Sequence, residues 1–191
     1  MIFFTSDIHF GHKGVIEYAN RPFGNVDQMN AEMIRRWNMF ITDQDEVYYL
    51  GDLSFVNPAK TCEILDKLRG KKYWIAGNHD KDLRKKEAVC KYFEWVKDLY
   101  TLKVPDSDAH DGYQRIVLCH YALKTWDRAH YGVWHLFGHS HGTMPDDPNS
   151  KSWDVGVDNN SLMPIGYYDV KRIMEHKTFK PVDAHGRRNE I

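Results

Sequence analysis

The chain has 191 residues, 42% hydrophobic and 14% aromatic, which is enough for one buried core and short for two independent domains. Its 26 basic and 27 acidic side chains leave a net charge of −1, which excludes a global positive field recruiting nucleic acid or anionic membrane but leaves room for a local basic groove. No apolar run approaches the roughly 20 residues that span a bilayer, and Met1-Ile2-Phe3-Phe4 meets Asp7 too soon for a signal peptide, so a cytoplasmic protein of one domain over residues 1–191 is expected.

In chain order, Ile2-Phe3-Phe4 reads as a buried strand and runs into Ser6-Asp7-Ile8-His9. Met29, Met33, Trp37 and Phe40 recur with a helical period and predict a helix buried along that stripe. Val47-Tyr48-Tyr49-Leu50 is a second strand, ending at Gly51-Asp52. Asn57-Pro58 then starts a helix whose stripe is Cys62, Leu65 and Leu68 and whose stop is Gly70. Tyr73-Trp74-Ile75-Ala76 leads into Gly77-Asn78-His79-Asp80, Ile116 to Cys119 into His120-Tyr121, and Val133 to Phe137 into Gly138-His139-Ser140-His141. The tail 179–191 mixes proline, glycine and charge and is expected to be loosely held. Each of the five polar motifs thus follows a predicted strand, and the carboxyl ends of strands are where α/β sheets gather ligands.

The motifs supply oxygen and nitrogen donors of the kind that hold two divalent cations side by side: Asp7, His9, Asp52, Asn78, His120, His139 and His141. Asp7 and His9 are two apart, as are His139 and His141, so in an extended stretch each pair projects to one face. Asp52 follows a glycine that permits close backbone approach, and a carboxylate there can bridge two cations. Imidazole and oxygen donors without thiolate suit manganese, iron, zinc, nickel or cobalt. Such a pair clamps a phosphate and generates hydroxide at neutral pH, which points to phosphoester hydrolysis. His79, between a ligand and Asp80, fits a general acid on the leaving oxygen, with Asp80 holding its ring, a role typically worth about 10²- to 10⁴-fold.

The five motifs resemble those of the calcineurin-like metallophosphoesterase superfamily: Asp-x-His, Gly-Asp, Gly-Asn-His-Asp/Glu, a lone His and Gly-His-x-His, in order over residues 7 to 141. Val155-Gly156-Val157-Asp158, with Pro164 and a short helical pattern after it, resembles the closing strand and helix of small bacterial and phage members. The resemblance implies an α/β fold, a four-layer α-β-β-α sandwich of two mixed sheets. It further implies one metal on Asp7, His9, Asp52 and His141, a second on Asp52, Asn78, His120 and His139, and His79 as proton donor. Two manganese ions are the first expectation. Purple acid phosphatases differ in carrying Gly-Asp-x-x-Tyr and Asp-x-Gly where this chain has Phe55 and His9, which argues against a tyrosinate-bound ferric ion.

Singly, each motif has an ordinary explanation: Asp7 as a turn cap, Gly51-Asp52 as turn chemistry, His120 as a satisfied core residue. Their joint placement at strand ends favours the metal site. His135, inside an apolar run, and His110, His130, His176 and His185 read as structural or solvated. His12 and Arg21 could meet substrate phosphate at the rim beside Asn78 and His79, with a loop position and a surface ion pair as the alternatives. The segment from Tyr121 to Gly132 is expected to overhang the site, where Tyr121 or Trp126 could stack on a base or simply pack under the loop, and Arg128 could pair with phosphate. Cys62, Cys90 and Cys119 are an odd set without Cys-x-x-Cys spacing and read as packed thiols. The substrate class expected is a phosphorylated small molecule or nucleotide. A manganese-dependent nuclease is the runner-up, and a phosphoprotein phosphatase or a non-catalytic scaffold comes behind it.

Overall fold

The computed structural model describes residues 1–180 and 182. The chain runs through β1 (Ile2–Thr5), α1 (Lys13–Tyr18), α2 (Val26–Phe40), β2 (Glu46–Tyr49), α3 (Pro58–Leu65), β3 (Lys71–Ile75), α4 (Glu87–Cys90) and β4 (Phe93–Lys97). It continues with β5 (Leu99–Pro105), β6 (Tyr113–Cys119), β7 (Trp134–Phe137), β8 (Ser152–Asp154), β9 (Ile165–Gly166) and α5 (Tyr167–Glu175). Two mixed sheets result, one ordered β4-β3-β2-β1-β9 and the other β5-β6-β7-β8. The first is parallel except for β9, and the second is parallel except for β5.

The five-stranded sheet is covered on both faces, which is why its strands read as continuous apolar runs. Phe3, Val47, Tyr49 and Trp74 join a core with Val15 of α1, Met29, Met33 and Trp37 of α2, Ile64 and Leu65 of α3 and Val89 of α4. The alternate residues Phe4, Tyr48, Leu50 and Ile75 meet Leu102, Ile116, Leu118, Trp134 and Leu136 of the second sheet, together with Val170 and Met174 of α5. Burying one such side chain is worth about 1.5–3 kcal/mol.

The expected helices form with adjusted ends. Asn25 caps α2 by accepting from Gln28 N at 2.9 Å. Phe40, the last expected member of the stripe, is instead 45% exposed, because the helix stops there and Ile41 turns into the core. Asn57 caps α3 and Pro58 opens it, but the helix ends at Leu65. Leu68 is buried from the turn that follows, and Thr61 and Ile64 take the place expected for Cys62.

The outer face of the second sheet, with Val117, His135 and Phe137 buried, is covered by the segment joining β6 to β7. Among the described residues that cover carries one short 3-10 turn, Ala129–Tyr131, rather than a helical layer. Left-handed backbone at Arg128 (φ 57°) and Gly132 (φ 79°) stops the turn at both ends. The expected closing strand over Val155–Asp158 lies earlier, at β8. Gly156 makes only a bridge to Ser6, and Val157–Asn159 form a 3-10 turn. Of the expected loose tail, Lys180 N donates to Asn149 O at 2.9 Å, while 181 and 183–191 lie outside the described residues.

Candidate metal centre

Five strands end at one place: β1, β2 and β3 of the first sheet, β6 and β7 of the second. The polar motifs turn there through unusual backbone. Asp7 (φ 57°), His9 (φ 56°), Asp52 (φ 58°), His139 (φ 69°) and His141 (φ 48°) all occupy the left-handed region, which costs a non-glycine residue of order 1–3 kcal/mol. Neither Asp7-x-His9 nor His139-x-His141 is therefore the extended stretch expected. Hydrogen bonds hold the strained turns: Asp7 N to Gly51 O at 3.0 Å, His9 N to Asp52 O at 3.1 Å and His139 N to Asp7 Oδ2 at 2.8 Å. The turns interlock so closely that a Cβ on Gly77 would sit 2.2 Å from Asp52 Oδ1, and one on Gly138 2.3 Å from Asp7 Oδ2.

Two sets of donors converge. Asp7, His9 and His141 each offer an atom within 4.8 Å of the others, and so do Asp52, His120 and His139. Asp52 Oδ2 lies between the sets, 3.5 Å from His9 Nε2 and 3.6 Å from His120 Nε2. Asn78 Oδ1 is 3.0 Å from His120 Nε2. All seven predicted ligands are thus brought together. Asp7 Oδ1 and His9 Nε2, 3.8 Å apart, are buried without a hydrogen-bond partner. A buried carboxylate oxygen left unpaired costs at least about 1–3 kcal/mol, and a cation at this point would satisfy both atoms. The donor set therefore fits a divalent metal pair.

The electrostatics agree with that fit. Burial would raise the Asp52 pKa, but the neighbouring imidazoles of His9 and His120 outweigh it and hold the carboxyl below its ordinary value. Burial would lower His9, yet Asp52 and Asp7 raise it. The carboxylates that draw a proton onto His9 are the ones that would hold a cation instead.

Three of the imidazoles, those of buried His9 and His120 and half-buried His141, are oriented from behind. His120 Nδ1 donates to Leu50 O at 2.7 Å, His141 Nδ1 lies 2.6 Å from Asp158 Oδ2, and His9 Nδ1 lies 3.5 Å from the Tyr18 hydroxyl. With Nδ1 occupied, Nε2 faces the centre. Ser6 Oγ donates to Asp7 Oδ2 at 2.6 Å. Ser6, Tyr18 and the supporting role of Asp158 escaped the sequence reading, since no local pattern distinguishes a residue that touches a ligand from behind.

Two expected roles are overturned. Arg21 does not face the rim: its guanidinium is fully buried and forks onto Asp158, with Nε to Oδ1 at 2.7 Å and Nη2 to Oδ2 at 2.8 Å. It also donates to Asp7 O and Ile8 O, so it has nothing left for a substrate phosphate. Asp80 does not hold the His79 ring. It is buried and accepts from Asp52 N (2.7 Å), Gly77 N (2.7 Å), Leu53 N (3.0 Å) and Trp74 Nε1 (3.2 Å), and so clamps the Asp52 turn.

His79 is exposed at the rim, its backbone N–H on Asp52 Oδ1 at 2.9 Å and its ring 4.9 Å from Phe55. His12 stacks on Phe55 at 4.1 Å, and burial lowers its pKa. Tyr121, 45% exposed, stands 5.1 Å from His120 and 5.0 Å from His139. Trp126 is committed inside its loop, over His135 at 5.1 Å with Nε1 donating to Val133 O, and is unavailable to a base. His135 is the core histidine expected. Its Nδ1 donates to Val117 O, its Nε2 accepts from Leu123 N, and burial lowers its pKa. The three cysteines are free thiols, and no helix among the described residues is long and apolar enough to cross a membrane.

Fold and site together define a mixed α/β protein of two sheets with a histidine- and aspartate-lined candidate metal centre at the strand ends. The chain belongs to the family of the uncharacterized protein MJ1445 of Methanocaldococcus jannaschii, with which it shares 34% identity over 181 residues, 91% of either chain. The gene 66 protein of Mycobacterium phage L5 is 27% identical over 161 residues, 74% of this chain and 77% of that one. A protein of unknown function from Aquifex aeolicus, AQ665, has the same fold at a TM-score of 0.63 and 20% identity, covering 91% of this chain and 98% of its own. No family model matches the chain.

Proposed function

We propose that the protein is a metal-dependent phosphoester hydrolase of the calcineurin-like metallophosphoesterase type, acting as a phosphodiesterase or phosphatase on small nucleotide-like substrates. The observation that carries the reading is the placement of Asp52 Oδ2 between two donor sets, with Asp7 Oδ1 and His9 Nε2 buried and unpaired beside it. The two mixed sheets packed together, with the ligands at the strand ends of both, support the paired-sheet part of that superfamily's architecture, while the outer cover of the second sheet is a loop with one 3-10 turn rather than a helical layer.

Asp7, His9, Asp52 and His141 would hold one divalent cation, manganese first, and Asp52, Asn78, His120 and His139 the second. Bound there, a metal pair supplies charge neutralisation for phosphoryl oxygens and acidifies water at neutral pH. The chain's own residues do the rest. Asp80 and the left-handed turns fix Asp52 in place before substrate arrives, which lowers the reorganisation needed in the reaction. His79, exposed and tethered through its N–H to Asp52, holds a proton on its imidazole for the departing oxygen. His12 on Phe55 lines the same rim and takes a phosphoryl oxygen or the group attached to it.

The decisive experiment is hydrolysis of an aryl phosphomonoester and the matching phosphodiester by metal-stripped protein, then with manganese restored, beside Asp52→Asn and His79→Ala. Manganese-dependent turnover abolished in Asp52→Asn is expected. No turnover of either ester with any divalent metal would sink the proposal. A manganese-dependent nuclease is the second reading, favoured by the exposed rings of Phe55 and Tyr121 on either side of the ligands. Cleavage of single-stranded oligonucleotides faster than of the small diester would select it.

A further inference from the structure

The two donor sets are braced by different parts of the chain. His120 leans on the Leu50 carbonyl, and the Asp52 turn is clamped by Asp80. The other set depends on Arg21 and Asp158, which lie 137 residues apart in sequence. The guanidinium has five N–H donors, and each finds an acceptor. Nε and one Nη2 hydrogen go to Asp158, the second Nη2 hydrogen to Asp7 O at 2.6 Å, and Nη1 to Ile8 O at 2.7 Å and Met29 Sδ at 3.5 Å. Asp158 then takes His141 Nδ1 on the same oxygen that faces Nη2. One buried guanidinium therefore supports the strained Asp7-Ile8-His9 turn from beneath and, through one carboxylate, sets the ring of His141. These are the residues of one set and of no other.

We infer that Arg21 and Asp158 are positioning residues for a single cation, the one that Asp7, His9 and His141 would hold, so that the two cation sites can be weakened separately. The inference rests on the metal-pair reading above. Among the described residues the sets touch directly at three places: Asp52 Oδ2 between His9 and His120, the His9 N–H on Asp52 O, and the His139 N–H on Asp7 Oδ2. None of these contacts involves Arg21 or Asp158. Lysine at position 21 keeps the charge but cannot fork onto a carboxylate and two carbonyls at once. Asparagine at position 158 keeps the shape but removes the negative charge behind His141. Loss of an orienting partner of this kind typically weakens metal binding about 10- to 100-fold.

The test is calorimetric titration of chelator-treated full-length protein with manganese alone, for wild type, Arg21→Lys, Asp158→Asn and, as a marker of the affected site, His141→Ala. Wild type should take two ions per chain. Arg21→Lys and Asp158→Asn should each lose about 10- to 100-fold at one site, hold the other within about threefold of wild type, and match the site lost in His141→Ala. Adding Arg21→Lys to His141→Ala should leave the remaining site unchanged. General destabilisation would weaken both sites together and would overturn the inference, as would two unchanged binding constants in both variants. Wild type that bound no manganese would remove the metal-pair reading and this inference with it, an outcome distinct from the other two.

Discussion

Asp80→Asn separates a structural clamp from a catalytic partner. The wild-type carboxylate accepts four N–H donors, three on Oδ2 (Asp52 N, Gly77 N and Trp74 Nε1) and one on Oδ1 (Leu53 N). Asparagine has one acceptor oxygen, and its better orientation keeps that oxygen on the three-donor side and turns the NH₂ against Leu53 N–H. One bond to a charged acceptor is then lost, about 1.5–3 kcal/mol, and a buried N–H is left facing another donor. Against this, burial raises the Asp80 pKa and its backbone donors pull it back only in part, so removing the charge returns some of that cost. The net expectation is about 2 kcal/mol of destabilisation, a fall in Tm of roughly 4–8 °C for a domain of this size. Urea unfolding followed by tryptophan fluorescence measures it, with m unchanged and the midpoint lowered. Manganese binding should weaken in parallel, because the turn that presents Asp52 loosens. An Asp80→Asn variant as stable as wild type within about 0.5 kcal/mol, yet deficient in hydrolysis, would refute the clamp and return Asp80 to the side of His79.

Manganese at about 100 times its Kd should raise the stability of metal-stripped protein by about 2.7 kcal/mol per site, read as a Tm shift by differential scanning fluorimetry, and Asp52→Asn should lose most of it. His79→Ala should cost about 10²- to 10⁴-fold in kcat for an alkyl leaving group and far less for a nitrophenyl one, since a good leaving group departs without a proton; equal losses on both substrates would count against His79 as the acid. Burial lowers the His135 pKa below 6.5, so the unfolded chain binds a proton that the folded one refuses, and stability falls as pH drops below 6.5. His135→Gln should flatten that acid limb in urea unfolding between pH 7 and 5, by at most about 1.4 kcal/mol per pH unit, and an unchanged slope would contradict a neutral buried His135.

The strands of the site were legible because both faces of their sheet are covered, so each reads as an unbroken apolar run. The strands that escaped, β4, β5, β8 and β9, lie at the margins. β4, β5 and β8 are edge strands paired on one side, with Glu94, Lys97 and Lys103 among their residues, and β9 is two residues long. Phe40 was misread for a related reason: the helical period says which residues share a stripe but not where the stripe leaves the core.

The sequence by itself determined the candidate donors. A cation needs particular atoms, and the chain carries them in short motifs, each placed by the strand before it, so Asp7, His9, Asp52, Asn78, His120, His139 and His141 could be named without coordinates. What those donors rest on was decided by tertiary structure alone. Arg21 reads locally as a residue before proline and Asp80 as the end of a histidine motif, and nothing near either one says whether it faces solvent or turns inward onto buried hydrogen-bond partners. Arg21 acquires its partner from 137 residues away, and Asp80 acquires two of its four donors from 27 and 28 residues away, where the turn after β2 packs beside the turn after β3. Local sequence fixes the type of donor or acceptor a residue carries, and only the packed chain fixes which distant group desolvates with it.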